Sequence, residues 1–175
     1  MRLFIAIDFK EFKKCFNELQ DQIPGDIALI KKVKEFHLTL KFLGDVFDED
    51  VEKIKKALNE VKFEKFKTKL SKIGFFPSES YTKVIWVGFD PKKDMIKLQK
   101  QIEKVLLHFN IRQDFEFVPH LTLARIKFVR DSKEFLKKVK EIKIKKTQVE
   151  VSSFKLIKST LTPKGAVHKD LEVYK

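Results

Sequence analysis

The chain has 175 residues, 43% of them hydrophobic, with eighteen phenylalanines and a single cysteine, Cys15. That is enough apolar material for one largely aromatic core, and it excludes both an internal disulfide and an uninterrupted apolar run of the roughly 18–20 residues that a membrane-spanning helix needs. The formal net charge of +13 favours a polyanionic partner, although much of it is lysine (34 Lys against 4 Arg) mixed with glutamate on helix faces, a pattern shared with plain solvated surfaces and with thermophilic proteins.

In chain order, residues 2–8 read as a strand that reaches Asp8 too soon to be a leader peptide, and residues 10–22 as a helix. Residues 27–33 look extended and 35–42 form a clear strand. Asp48 is the expected N-cap of a helix carrying Val51, Ile54, Leu58 and Val61 on one side. Strands are expected at 66–73 and 83–89, either side of a turn at Pro77-Ser78. A second strong helix over 92–109 carries Met95, Leu98, Ile102, Val105 and Phe109 in a stripe. Strands at 114–118 and 120–127, a helix at 131–141, and strands at 147–158 and 167–174 complete the chain. Glycine and proline, five of each, fall at the turns between these elements.

The order strand, helix, His-x-Thr strand, helix, strand occurs twice. His37-Leu38-Thr39-Leu40 is repeated as His120-Leu121-Thr122-Leu123, 83 positions on, and Ile5–Asp8 corresponds to Ile85–Gly88 at an offset of 80. The reading is an α+β fold of two pseudo-symmetric lobes, each an antiparallel sheet with outer helices. The two histidine strands face each other across a cleft, and residues 1–175 make one domain of two intertwined lobes.

Alternation along a strand puts Phe36, Leu38, Leu40 and Phe42 on one face and Glu35, His37, Thr39 and Lys41 on the other. In the second copy Pro119, Leu121 and Leu123 oppose Val118, His120, Thr122 and Ala124, and Pro119, which lacks a backbone donor, starts the strand. Two such strands side by side bring two imidazoles and two hydroxyls into one groove. That set suits a phosphodiester: one imidazole acts as base and one imidazolium as acid, while the threonine hydroxyls hold non-bridging oxygens. A zinc enzyme needs at least three ligands, and no third histidine or cysteine pair stands at ligand spacing, so no metal or other cofactor is expected. Trp86 reads as core packing, as does Phe42, and His168 and His108 as surface residues.

Met1–Ile7, His37-Leu38-Thr39-Leu40-Lys41-Phe42-Leu43-Gly44, Gly74-Phe75-Phe76-Pro77, Val84-Ile85-Trp86-Val87-Gly88, Pro119–Arg125, Ser159-Thr160-Leu161 and Pro163-Lys164-Gly165-Ala166 occur in that order. Together they resemble the two-histidine (2H) phosphoesterases, specifically the RNA 2′,3′-cyclic phosphodiesterases also called 2′-5′ RNA ligases. The resemblance implies a bilobal fold and catalysis without metal or ATP, with His37 as proton donor, His120 as proton acceptor, and Thr39, Thr122 and Arg125 on the phosphate. It implies RNA carrying a 2′,3′-cyclic phosphate or a 2′-5′ linkage as partner, tRNA halves among them, and both opening of the cyclic phosphate to a 2′-phosphate and reversible ATP-independent joining. Strict alternation, however, turns Arg125 to the face of Leu121 and Leu123, away from His120, unless the strand bends. A phosphodiesterase for small cyclic nucleotides or ADP-ribose cyclic phosphate, or a non-catalytic RNA-binding domain, are the alternative readings. A cytoplasmic monomer that binds no membrane is the expectation.

Overall fold

The computed structural model describes residues 1–109, 111–112, 116–163 and 165–175. Its strands are β1 (Arg2–Asp8), β2 (Ala28–Lys32), β3 (His37–Asp45), β4 (Phe66–Pro77), β5 (Thr82–Asp90), β6 (His120–Val129), β7 (Gln148–Val151), β8 (Phe154–Thr162) and β9 (Gly165–Tyr174). Its helices are α1 (Lys13–Asp21), α2 (Asp48–Leu58), α3 (Lys93–Val105) and α4 (Ser132–Lys140), with a 3-10 turn at Lys10–Phe12 ahead of α1. Two sheets form, one in the order β3-β1-β8-β9 and one in the order β2-β6-β5-β4-β7, and every pairing is antiparallel. The bilobal α+β reading holds. The lobes are interleaved: β2 leaves the first half of the chain to pair with β6, while β8 and β9 return from the end to complete the sheet of β1 and β3. The helices cross over in the same way, α1 packing on β6 and α3 on β3.

The two sheets and the helices share one apolar core. Leu3, Ile5 and Ile7 of β1, Leu38 and Leu40 of β3, Ile85 and Val87 of β5, and Leu121 and Leu123 of β6 all point into it. Phe16 and Leu19 of α1 and Met95, Leu98 and Ile102 of α3 cover them. Each helix stripe thus does what its spacing predicts, burying one side.

Three local expectations are corrected. Asp48 does not cap α2: Phe47 holds the N-cap position without a side-chain bond, and Asp48, Glu49 and Asp50 occupy the first turn, where carboxylates favour the helix dipole. Strand β4 runs on through Pro77, so the turn falls at 78–81. No strand forms at 116–118, and residues 114 and 115 of the one expected at 114–118 lie outside the described residues. Among the described residues no helix is long and apolar enough to cross a membrane.

Candidate active site

The second His-x-Thr strand starts at His120, directly after the buried Pro119, as the missing donor requires. Along β6 the pairing with β5 runs Thr122↔Trp86 and then Ala124↔Ile85, so Leu123 is skipped. This is a β-bulge: Leu123 and Ala124 both turn into the core, each 0% exposed. The extra residue reverses the alternation beyond it. Arg125 is therefore exposed on the face of His120 and Thr122, and its positive charge acts on the imidazoles of both His37 and His120. The conflict posed by strict alternation is resolved by one inserted residue.

The first strand carries the same device. Pairing with β1 runs Ala6↔Thr39 and then Ile5↔Lys41, skipping Leu40, and both Leu40 and Lys41 are buried. This overturns two expectations. Lys41 leaves the polar face: its side chain, 1% exposed, pairs with Glu103 Oε1 at 2.8 Å, and Nζ donates to the Arg112 carbonyl at 2.5 Å. Phe42 leaves the apolar face and stands 66% exposed, on the side of His37 and Thr39. Phe42 is thus the counterpart of Arg125, five positions past its histidine.

Each bulge is supported by a buried glutamine from the crossing helix. Gln20 of α1 donates from Nε2 to the carbonyls of Leu123 at 2.7 Å and Val33 at 2.9 Å. Gln99 of α3 donates to Glu103 Oε1 at 2.9 Å, and Glu103 in turn holds Lys41. A polar residue inside an apolar helix stripe was the visible signal for both.

Strands β3 and β6, from different sheets, approach each other, and the charge of Arg125 on β6 reaches the His37 imidazole on β3. His37, Thr39, His120 and Thr122 are all partly buried. The Nδ1–H of His120 donates to the Val118 carbonyl at 2.7 Å, which fixes the tautomer and leaves Nε2 with its lone pair when the ring is neutral. Phe76 meets this ring edge-on at 4.8 Å, and Trp86 lies 5.8 Å away. Trp86 is buried as expected, but against Phe76 and His120 beneath the site and outside the main core. Its ring lies across Gly74, where a Cβ would come within 2.1 Å of it.

His37 is flanked by Phe4 at 5.2 Å and by His168 at 5.3 Å between ring centroids. His168 is therefore no plain surface residue; its Nδ1 lies 2.5 Å from Glu35 Oε2. His108 is exposed. Burial pushes the His37 imidazole down to about 4, the charges of His168 and Arg125 act in the same direction, and Glu35 and Asp8 oppose them. Burial also lowers His120, against the Val118 hydrogen bond, with Arg125 adding to the lowering. Both rings are neutral near pH 7, and an anion beside either one favours its protonation.

A sequence profile described as the 2′-5′ RNA ligase superfamily matches residues 17–162. The chain belongs to the 2′-5′ RNA ligase superfamily. It is 36% identical to a Methanocaldococcus jannaschii protein named RNA 2′,3′-cyclic phosphodiesterase, over 97% of both chains. It is 32% identical to the protein of the same name from Archaeoglobus fulgidus, over 99% of both. Among solved structures, the Thermus thermophilus protein TT0787 superposes with a TM-score of 0.82 at 27% identity, covering 99% of this chain and 97% of that one. Escherichia coli LigT complexed with 3′-AMP superposes at 0.76 and 21% identity, covering 99% and 96%, a likeness of fold.

Proposed function

We propose that this chain is an RNA 2′,3′-cyclic phosphodiesterase that opens cyclic phosphate ends to 2′-phosphates by acid–base catalysis between its two histidine strands. The observation that carries the reading is the pair of imidazoles on matched, bulged strands of facing sheets, both within reach of the one Arg125 charge. The names of the full-length relatives and the net charge of +13 support RNA as the substrate.

In this mechanism Arg125, Thr39 and Thr122 hold the non-bridging oxygens of the cyclic phosphate. Neutral His120 takes a proton from water through Nε2, and the water oxygen forms a bond to phosphorus. The bond from phosphorus to O3′ breaks, and O3′ receives the proton of His37, which the bound anion and the nearby Glu35 and Asp8 keep protonated against burial. The products are a 2′-phosphate and a free 3′-hydroxyl. Each positioned acid or base contributes roughly 10²–10⁴-fold. When an RNA 5′-hydroxyl replaces water, the same proton transfers join ends through a 2′-5′ bond without ATP, and the reverse cleaves it. The lone cysteine and the cationic charge fit a cytoplasmic enzyme working as a monomeric single domain on RNA ends such as those of tRNA halves.

The test is a short RNA ending in a 2′,3′-cyclic phosphate, incubated with and without EDTA, with the product's phosphate position identified. A 2′-phosphate formed in the presence of EDTA supports the mechanism, whereas a 3′-phosphate or full inhibition by EDTA overturns it.

A further inference from the structure

His168 lies on β9, and β3 and β9 are the two edges of the same four-stranded sheet. In a flat sheet three strand spacings would separate them by about 14 Å. The sheet curls instead, and the hairpin of β8 and β9 brings His168 over Phe4, at 5.0 Å, to His37. Glu35 lies two residues before His37, in the bend that leads into β3. One donor atom each from Glu35, His37 and His168 lies within 4.8 Å of the other two. Sequence spacing cannot reveal this trio, because the third ligand arrives from 131 positions away.

We propose that Glu35, His37 and His168 form a zinc-binding site whose occupation switches the cleft off. Two imidazoles and one carboxylate are a borderline donor set that suits Zn²⁺ and leaves a fourth tetrahedral position for water or a phosphate oxygen. Donors on tetrahedral zinc stand about 3.3–3.5 Å apart, given metal–ligand bonds of about 2.0–2.2 Å. The trio reaches that spacing by small side-chain rotations. Glu35, at 48% exposure, and His168, at 20%, have room to make them, while β3 holds His37 in place. The metal takes the nitrogen lone pair that would otherwise carry the proton, so His37 cannot serve as donor while zinc is bound. The inhibitory half of the proposal rests on His37 being the proton donor; the binding half does not.

The full chain, freed of metal by EDTA and dialysed, is titrated with ZnCl2 against a chromophoric chelator, with MgCl2 as control. One equivalent of zinc is expected to bind, magnesium is not, and Glu35→Gln and His168→Ala are each expected to weaken zinc binding at least ~10-fold. Absence of stoichiometric binding, or binding that both variants leave unchanged, overturns the site. Turnover with zinc is then divided by each protein's own rate in EDTA. That ratio is expected to fall at least ~10-fold in the wild type and to recover in His168→Ala. Zinc bound at the trio without loss of turnover overturns the switch and counts against His37 as the donor, while leaving the site itself standing.

Discussion

The two histidine strands share a plan and differ in what surrounds it. Both bulge three residues past their histidine, and both turn their fifth residue back to the cleft. In β6 the bulge buries Ala124 and presents Arg125; in β3 it buries Lys41 and presents Phe42. His120 is pinned by a carbonyl through Nδ1, whereas His37 stands among Phe4, Glu35 and a third histidine. The repeated backbone sets where the two imidazoles stand, and unequal neighbours give one copy a guanidinium and the other an exposed aromatic ring. Near-symmetric strands thereby acquire distinct surroundings.

The largest test of that contrast is catalytic. His37→Ala and His120→Ala are each expected to lower kcat by roughly 10²–10⁴-fold, with the double variant little worse than either single one, because the two groups act as a unit. Additive losses in single-turnover assays would separate their roles. Lys41→Ala tests the buried difference. It strands Glu103 and the Arg112 carbonyl without the ammonium, and about 3 kcal/mol of stability is expected to go in urea unfolding. No measurable change would mean that the ion pair merely fills space.

Gln20→Leu probes the other bulge. Losing its bonds to Leu123 and Val33 is expected to cost about 1–3 kcal/mol and also to raise KM, as Arg125 loses its fixed direction. Stability lost with unchanged KM would show that the bulge forms without the glutamine. Gly74→Ala forces Trp86 off its seat beneath His120. It is expected to destabilise by about 1–3 kcal/mol and to lower kcat, which thermal melts and turnover together would read.

The smallest effect is acid sensitivity. His37 binds its proton at about 4 in the folded chain and at 6.5 when unfolded, so between those values the unfolded chain carries more protons. Stability is therefore full above pH 6.5 and falls with acidity, by about 1–2 kcal/mol between pH 6.5 and 5 from this group. His37→Gln is expected to flatten that slope in pH-dependent urea titrations.

The repeat, the helix stripes and most of the succession of strands and helices along the chain were legible because periodicity records which face is buried, and burial is a local demand on each residue. So were His37, Thr39, His120 and Thr122 as a set, since matched context singles them out. Arg125 was legible only by resemblance, because alternation placed it on the wrong face. Phe42 and Lys41 were misassigned for the same reason. A bulge leaves no mark in a hydrophobic pattern when both bulged residues are apolar, as at Leu123-Ala124. His168 escapes a local reading because its neighbours His37 and Glu35 come from the opposite edge of the sheet.

By itself the sequence determined the two-lobed plan, the repeat of the His-x-Thr strand and the histidine and threonine that share a face in each copy, since these follow from composition and local period. Only the tertiary structure decided the direction of Arg125 and Phe42, the seat of Trp86 on Gly74, the support by Gln20 and the meeting of Glu35 and His168 at His37. Those depend on where separate elements cross, and a crossing is fixed by packing across the whole core rather than by any single stretch of chain.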